Sequence, residues 1–169
     1  MQPVEVSGQM FSDQTGIFPR FFSRGNRSVI VLYDYNSNTI LTKTLKNNTI
    51  PELVRSQTRM IQYLLDLGMK PSSLRIENEF PLAQEHFIMA NSVNFQLCPP
   101  NGHHTNQEEK SIYTCEFHFL ARISWVDPNS PLHLWCCLLP QDIQTLNLLH
   151  RSRINPRSSV EDQLTGVFD

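Results

Sequence analysis

No apolar run in this chain of 169 residues approaches the ~20 residues that a membrane-spanning helix needs, so a membrane span is not expected. The opening "MQPVEVSGQM" has no basic segment and no apolar stretch behind it, so no secretory signal is expected either. Cysteine is scarce: the four residues, at 98, 115, 136 and 137, match no zinc-binding spacing. Free thiols in a reducing compartment, nuclear or cytoplasmic, follow from that usage. Adjacent Cys136 and Cys137 fall in a helical pattern and read as core filler. Positive charge is also short. The net charge is −2, whereas nucleic-acid-binding domains are usually basic. Internal repeats, low-complexity tracts and domain linkers are not visible.

What is present is ordinary for one globular domain: 40% hydrophobic and 18% charged residues in a chain long enough to bury a core. The charges are unevenly placed. Arg20, Arg24 and Arg27 cluster near the start, and Arg151, Arg153 and Arg157 near the end. Between residues 76 and 121 stand six acids and a single base, Lys110. An acidic centre between basic ends suits a cation site flanked by phosphate contacts. Plain solvated faces would give the same pattern.

Strand-like residues in "QMFSDQTGIF" (9–18) surround a turn signal, and "SVIVLYDY" (28–35) is rich in β-branched and aromatic residues. "TILTKTL" (39–45) alternates as a half-buried strand does. No helix fits between these three, which predicts an antiparallel meander. A helix follows, with Thr49 and Glu52 as a capping box, Pro51 in its first turn and Gly68 as its stop. Then come a short strand "SLRIENE", a helix "PLAQEHFIMAN", a strand "VNFQLC" and an amphipathic helix "NQEEKSIYTCEFHFLARIS". A last long helix runs from Ser130-Pro131 to about His150, with Pro140 expected to kink or break it, and a short one is capped by Ser158 and Glu161. Trp125 and Trp135 read as core or interface packing. The order β-β-β-α-β-α-β-α-α predicts an α/β fold. That order resembles ribonuclease-H-like domains, which implies a mixed five-stranded sheet, a three-strand antiparallel meander and then two parallel strands, with helices on both faces.

Three acids stand where such a sheet could bring them together. Asp13 lies in the first strand, Glu77 ends the fourth, and Glu109 opens the helix after the fifth. Convergent carboxylates repel, and a hard divalent cation relieves the repulsion. Two such ions can serve the attacking and leaving oxygens of a phosphodiester. Each acid also has a structural reading. Asp13 can fix the Asp-Gln-Thr-Gly turn, Glu77 can be a strand-end surface charge, and Glu109 can reach back to a helix cap at Asn106.

At these residues the sequence resembles a known family. "MFSDQTGIFP", "SRGN", "VLYDYNSNTIL", "LRIENE", "FQLCPPNGHHTNQEEKSI", "HFLARISWVDPNSPLHLW", "LLPQDIQTLNLL" and "SRINP" occur in the order seen in the integrase catalytic core of long-terminal-repeat retrotransposon polyproteins. The resemblance implies a core over residues 9–155, an extension at 1–8 and a truncated closing segment at 156–169. It implies a metal-binding and catalytic triad of Asp13, Glu77 and Glu109 using Mg²⁺ or Mn²⁺. It also implies DNA strand transfer and 3′-end processing on element ends and target DNA, a homo-oligomer, and phosphate contacts from Arg20, Arg24, Arg27, Arg151, Arg153 and Arg157. Asn106 and Lys110 match residues around the family glutamate, which favours Glu109 over Glu108. Glu77 departs from the pattern, because the family has Asp there. Its carboxylate sits one methylene farther out, and a misplacement of about 1 Å can lower a rate on the order of a hundredfold. A catalytically inactive remnant, kept as a nucleic-acid-binding or protein-interaction module, is the alternative expectation. His103 and His104 have no cysteine at zinc spacing and read as loop residues.

Overall fold

The structure is a computed structural model. It describes residues 8–15, 24–77, 86, 89–91, 93–98, 106–127 and 129–166, with the backbone alone at 76–77, 95–98, 106–109 and 132. Arg20, His103 and His104 lie outside the described residues.

Strands β1 (Gln9–Gln14), β2 (Ser28–Asp34), β3 (Thr39–Leu45), β4 (Ser73–Glu77) and β5 (Asn94–Cys98) form one sheet in the order β3-β2-β1-β4-β5. The first three are an antiparallel meander, and β4 and β5 run parallel to β1. Every residue of β2 is buried, as befits a strand covered on both faces. The tight turn into β3 needs a left-handed residue, and Asn38 takes it at φ 66°. Its side chain accepts from the Tyr33 hydroxyl at 2.9 Å and donates to the Arg151 carbonyl at 3.1 Å.

The pleat sorts side chains into two cores. Met10, Ile30, Leu32, Leu45 and Leu74 face α1 (Ile50–Asp66), whose Met60, Ile61 and Leu64 cover them. Phe11, Val29, Val31, Tyr33 and Ile40 face α2 (Asn106–Ser124) and α3 (Trp135–Leu149) through Cys115, Phe119, Leu139, Ile143 and Leu146. A short helix α4 (Val160–Thr165) closes the first core with Val160 and Leu164. Helices therefore cover both faces of a mixed sheet.

Several local expectations shift. Thr49 makes no side-chain cap. Glu52 instead accepts from the backbone N–H groups of Lys46 and Asn47 at 2.9 and 3.3 Å, and the Thr49 hydroxyl donates to Asn47. Pro140 does not break α3, which begins at Trp135 after a 3₁₀ turn at 132–134 and runs unbroken to Leu149. The capping box of α4 is Ser159 with Asp162, one residue later than expected, because Ser158 donates to the Asn155 carbonyl. Cys137 is exposed rather than core filler, and Trp125 is 89% exposed, while Trp135 packs on the second core.

Candidate acidic site at the strand ends

The sheet's register decides which acids meet. Ser12 of β1 pairs in parallel with Ile76 of β4, so Asp13 and Glu77 stand side by side one residue farther along. Both lie at the carboxyl ends of adjacent parallel strands, where α/β sheets open their crevices. Asp13 also pairs with Val31 across the antiparallel edge, which puts it on the face covered by α2. Its Oδ1 accepts from the Gln14 N–H at 2.7 Å, which holds the carboxylate against the strand.

Helix α2 crosses this face and is tied at more than one point. Ser111 hydrogen-bonds Tyr33, and Cys115 and Phe119 enter the core. Glu116, one residue beyond Cys115, is the α2 acid whose charge interaction with Asp13 is visible. Burial first, and then the charge on Asp13, push the Glu116 carboxyl above its ordinary range. Glu109 lies in the first turn of the same helix, and only its backbone is described. Seven residues separate it from Glu116, about 10 Å along the axis and nearly the same helical face. The sequence reading passed over Glu116. The signal for it was this i, i+7 spacing, which repeats a helix face.

The arginines divide between the two ends of the sheet. Arg24 and Arg27 precede β2, at the end where Asp13 and Glu77 lie, and both are exposed. Arg24 adopts φ 127° beside Gly25, in a turn that points the chain into β2. Arg151, Arg153 and Arg157 lie at the other end. Arg153 donates to the Tyr35 carbonyl at 2.7 Å and stacks over the Tyr35 ring at 4.0 Å, and the Tyr35 N–H bonds the Gln9 carbonyl where β1 begins. The four steps along the strand from Gln9 to Asp13 span about 13 Å. The two arginine clusters that the sequence presented together are thus separated by the length of the strands.

Between α2 and α3 sits a second group of charges. Asp142 is fully buried, with His118 Nδ1 3.0 Å and Arg122 3.7 Å from its Oδ1. Arg122 also donates to the Thr145 hydroxyl at 2.9 Å. His150 at the end of α3 is shifted below its ordinary value by burial first, then by the charges of His118 and Arg153. Cys115 nearby is pushed up to about 12 by burial, reinforced by the charges of Asp142 and Glu116. Among the described residues no group of three or more His, Cys, Asp or Glu side chains is placed to hold a metal ion. The side chains of Glu77 and Glu109 are not among them.

The fold matches known structures. A chain of the simian T-cell lymphotropic virus intasome, solved in complex with PP2A regulatory subunit B56 gamma, superposes with a TM-score of 0.62 at 15% identity over 92% of this chain. This chain spans 53% of that longer one. The catalytic core domain of BIV integrase superposes with a TM-score of 0.61 at 11% identity, over 95% of both chains. The fold is that of an integrase catalytic core. No protein-family model matches the sequence, and no curated protein does. In the integrase-core fold of this chain no described helix is long and apolar enough to cross a membrane.

Proposed function

We propose that this chain is a retroelement integrase core, a polynucleotidyl transferase that processes and joins DNA ends, with Glu77 lowering its turnover. The observation that supports it most is the side-by-side placement of Asp13 and Glu77 on adjacent parallel strands of the integrase-core fold. The donor set suits a hard divalent cation. Asp13, Glu77 and Glu109 would hold Mg²⁺ or Mn²⁺, and the charge of Asp13 that disfavours the Glu116 anion is of the kind a cation relieves. When bound, such ions activate the attacking oxygen and stabilise the leaving oxygen of a phosphodiester. The chain's own contribution is placement. The Gln14 N–H fixes Asp13, strand pairing fixes the Glu77 backbone, and α2 carries Glu109. Arg24 and Arg27 stand at the same end of the sheet and are the phosphate contacts nearest this site. Arg20 belongs to the same sequence cluster. Arg151, Arg153 and Arg157 would hold DNA elsewhere on the surface. DNA ends, target DNA and further copies of the chain are the partners this reading implies.

The test is divalent-metal-dependent nicking or joining of DNA ends. Asp13→Asn is expected to remove the activity at least a hundredfold, and an unchanged rate overturns the assignment. Glu77→Asp is expected to raise it.

The second reading, an inactive remnant that binds nucleic acid or protein, draws on Glu77 and on the added negative charge of Glu116 beside Asp13. Calorimetric titration separates the two. Heat with millimolar Mg²⁺ or Mn²⁺ that Asp13→Asn abolishes supports the enzyme, and no heat supports the remnant.

A further inference from the structure

Strand β3 is an edge strand, and its outer side is treated unevenly. The Ile40 N–H donates to Asn147 Oδ1 at 3.1 Å, and Asn147 Nδ2 donates to the Ile40 carbonyl at 3.0 Å. One side-chain amide thus makes the pair of bonds that a neighbouring strand would make. Six residues on, Glu52 accepts from the Lys46 N–H. Outward and inward backbone groups alternate along an antiparallel strand. With Ile40 pointing outward, Thr42 and Thr44 point outward as well. Among the described residues the edge is therefore closed at both ends by side chains and open at two residues between them.

A cleft of about 620 Å³ lies against the Thr42 part of this edge, with Leu41, Thr42 and Lys43 in its lining. Arg59 and Tyr63 of α1 form one wall, and Cys137 and Pro140 of α3 form the other. Its two sides differ in chemistry. Lys43 lies on the α1 face with Arg59, and among the described residues neither side chain has a hydrogen bond or an ion pair. The cleft's acid, Glu161, is already bonded to Gln144. On the α3 side the wall carries no charge: Cys137, Pro140 and Ile143 stand there with the amides of Gln141, Gln144 and Asn147.

We infer that this cleft binds an extended acidic peptide of another protein as an added strand on β3. A strand of about four residues reaches both threonines, and its side chains alternate between the two walls. Acidic residues then meet Lys43 and Arg59, and small apolar residues in between meet Pro140 and Cys137. Charge complementarity selects this occupant over a neutral strand.

The test is fluorescence anisotropy of the whole chain with a labelled hexapeptide alternating valine and glutamate. Saturable binding is expected. Lys43→Glu combined with Arg59→Glu should weaken it at least tenfold, with circular dichroism confirming the fold. The same peptide N-methylated at alternate backbone nitrogens should fail against the unaltered chain. That second measurement does not depend on any variant folding. Equal binding by the methylated peptide, or by the double variant, overturns the proposal. So does displacement of the peptide by duplex DNA, or a homodimer that sedimentation shows dissociating in the double variant. Those two outcomes would assign the cleft to nucleic acid or to a second copy.

Discussion

The carboxylate of Asp13 lies within charge range of Glu116 and acts on its titration. Burial and Asp13 both disfavour the Glu116 anion, so Glu116 keeps its proton above the ordinary carboxylate range. The folded state therefore binds this proton more tightly than the unfolded chain does. Stability from this group declines as pH rises from the ordinary carboxylate range through the raised value. Asp13→Asn removes one of the two causes. The Glu116 titration, followed by carboxyl carbon NMR, should move back down, and the decline should shift with it. Thiols offer a second residue-scale check. Cys115 is buried and pushed up to about 12, so it is almost entirely protonated at neutral pH, and Cys137 is exposed. Iodoacetamide should modify Cys137 in the folded chain and Cys115 only after unfolding, as peptide mass mapping will report. The residue types of the acidic site were legible in the sequence because Asp-x-Thr-Gly and a strand-end acid are local patterns. Glu116 was not, because its significance arises only when α2 is laid across β1.

Among the elements, the α2–α3 contact encloses a carboxyl group, Asp142, that is wholly buried. His118 and Arg122 beside it are partly exposed. His118→Ala leaves the Asp142 carboxylate with only the more distant Arg122, and should lower stability by about 3 kcal/mol. Asp142→Asn removes the buried charge itself and should cost less. Urea unfolding of the two variants checks the order, and the reverse order would mean that Arg122 alone suffices. At this scale the sequence was a good guide to existence and a poorer one to ends. The β-branched run of β2 and the alternation of β3 marked both strands. The cap of α1 departs from the Thr49–Glu52 pattern because Glu52 accepts from the Lys46 and Asn47 amides instead of serving its own helix. Pro140 stays inside α3 because burial of Leu139, Ile143 and Leu146 outweighs one missing backbone bond.

Across the whole molecule, charge is arranged along the strand direction. Asp13, Glu77, Arg24 and Arg27 share one end of the sheet, and Arg151, Arg153 and Arg157 occupy the other. Sequence position suggested two equivalent basic clusters. The antiparallel turn of β2 sends them to opposite ends, which no local pattern records. Arg153 is also held by Tyr35, so it is the least available of its group. If DNA is the ligand, Arg24→Glu with Arg27→Glu should lower any end-processing rate and the binding together. Arg151→Glu with Arg157→Glu should weaken binding while leaving the rate at saturating DNA nearly unchanged. Each lost phosphate contact should also reduce the salt dependence of binding by roughly one unit of slope. A mutation series read by filter binding at several salt concentrations would show both.

The closure of β3 by Asn147 and Glu52 also has a temporal signature. Amide protons of Leu41, Lys43 and Leu45 face β2, and that of Ile40 is held by Asn147. Only Thr42 and Thr44, in the interior of an otherwise locked strand, present their amides outward. Deuterium should enter the strand at those two positions far ahead of their neighbours, a fast pair flanked by slow sites. The Asn147→Ala chain should extend the fast stretch to Ile40, so that one side chain sets how quickly the rim of the sheet exchanges with water.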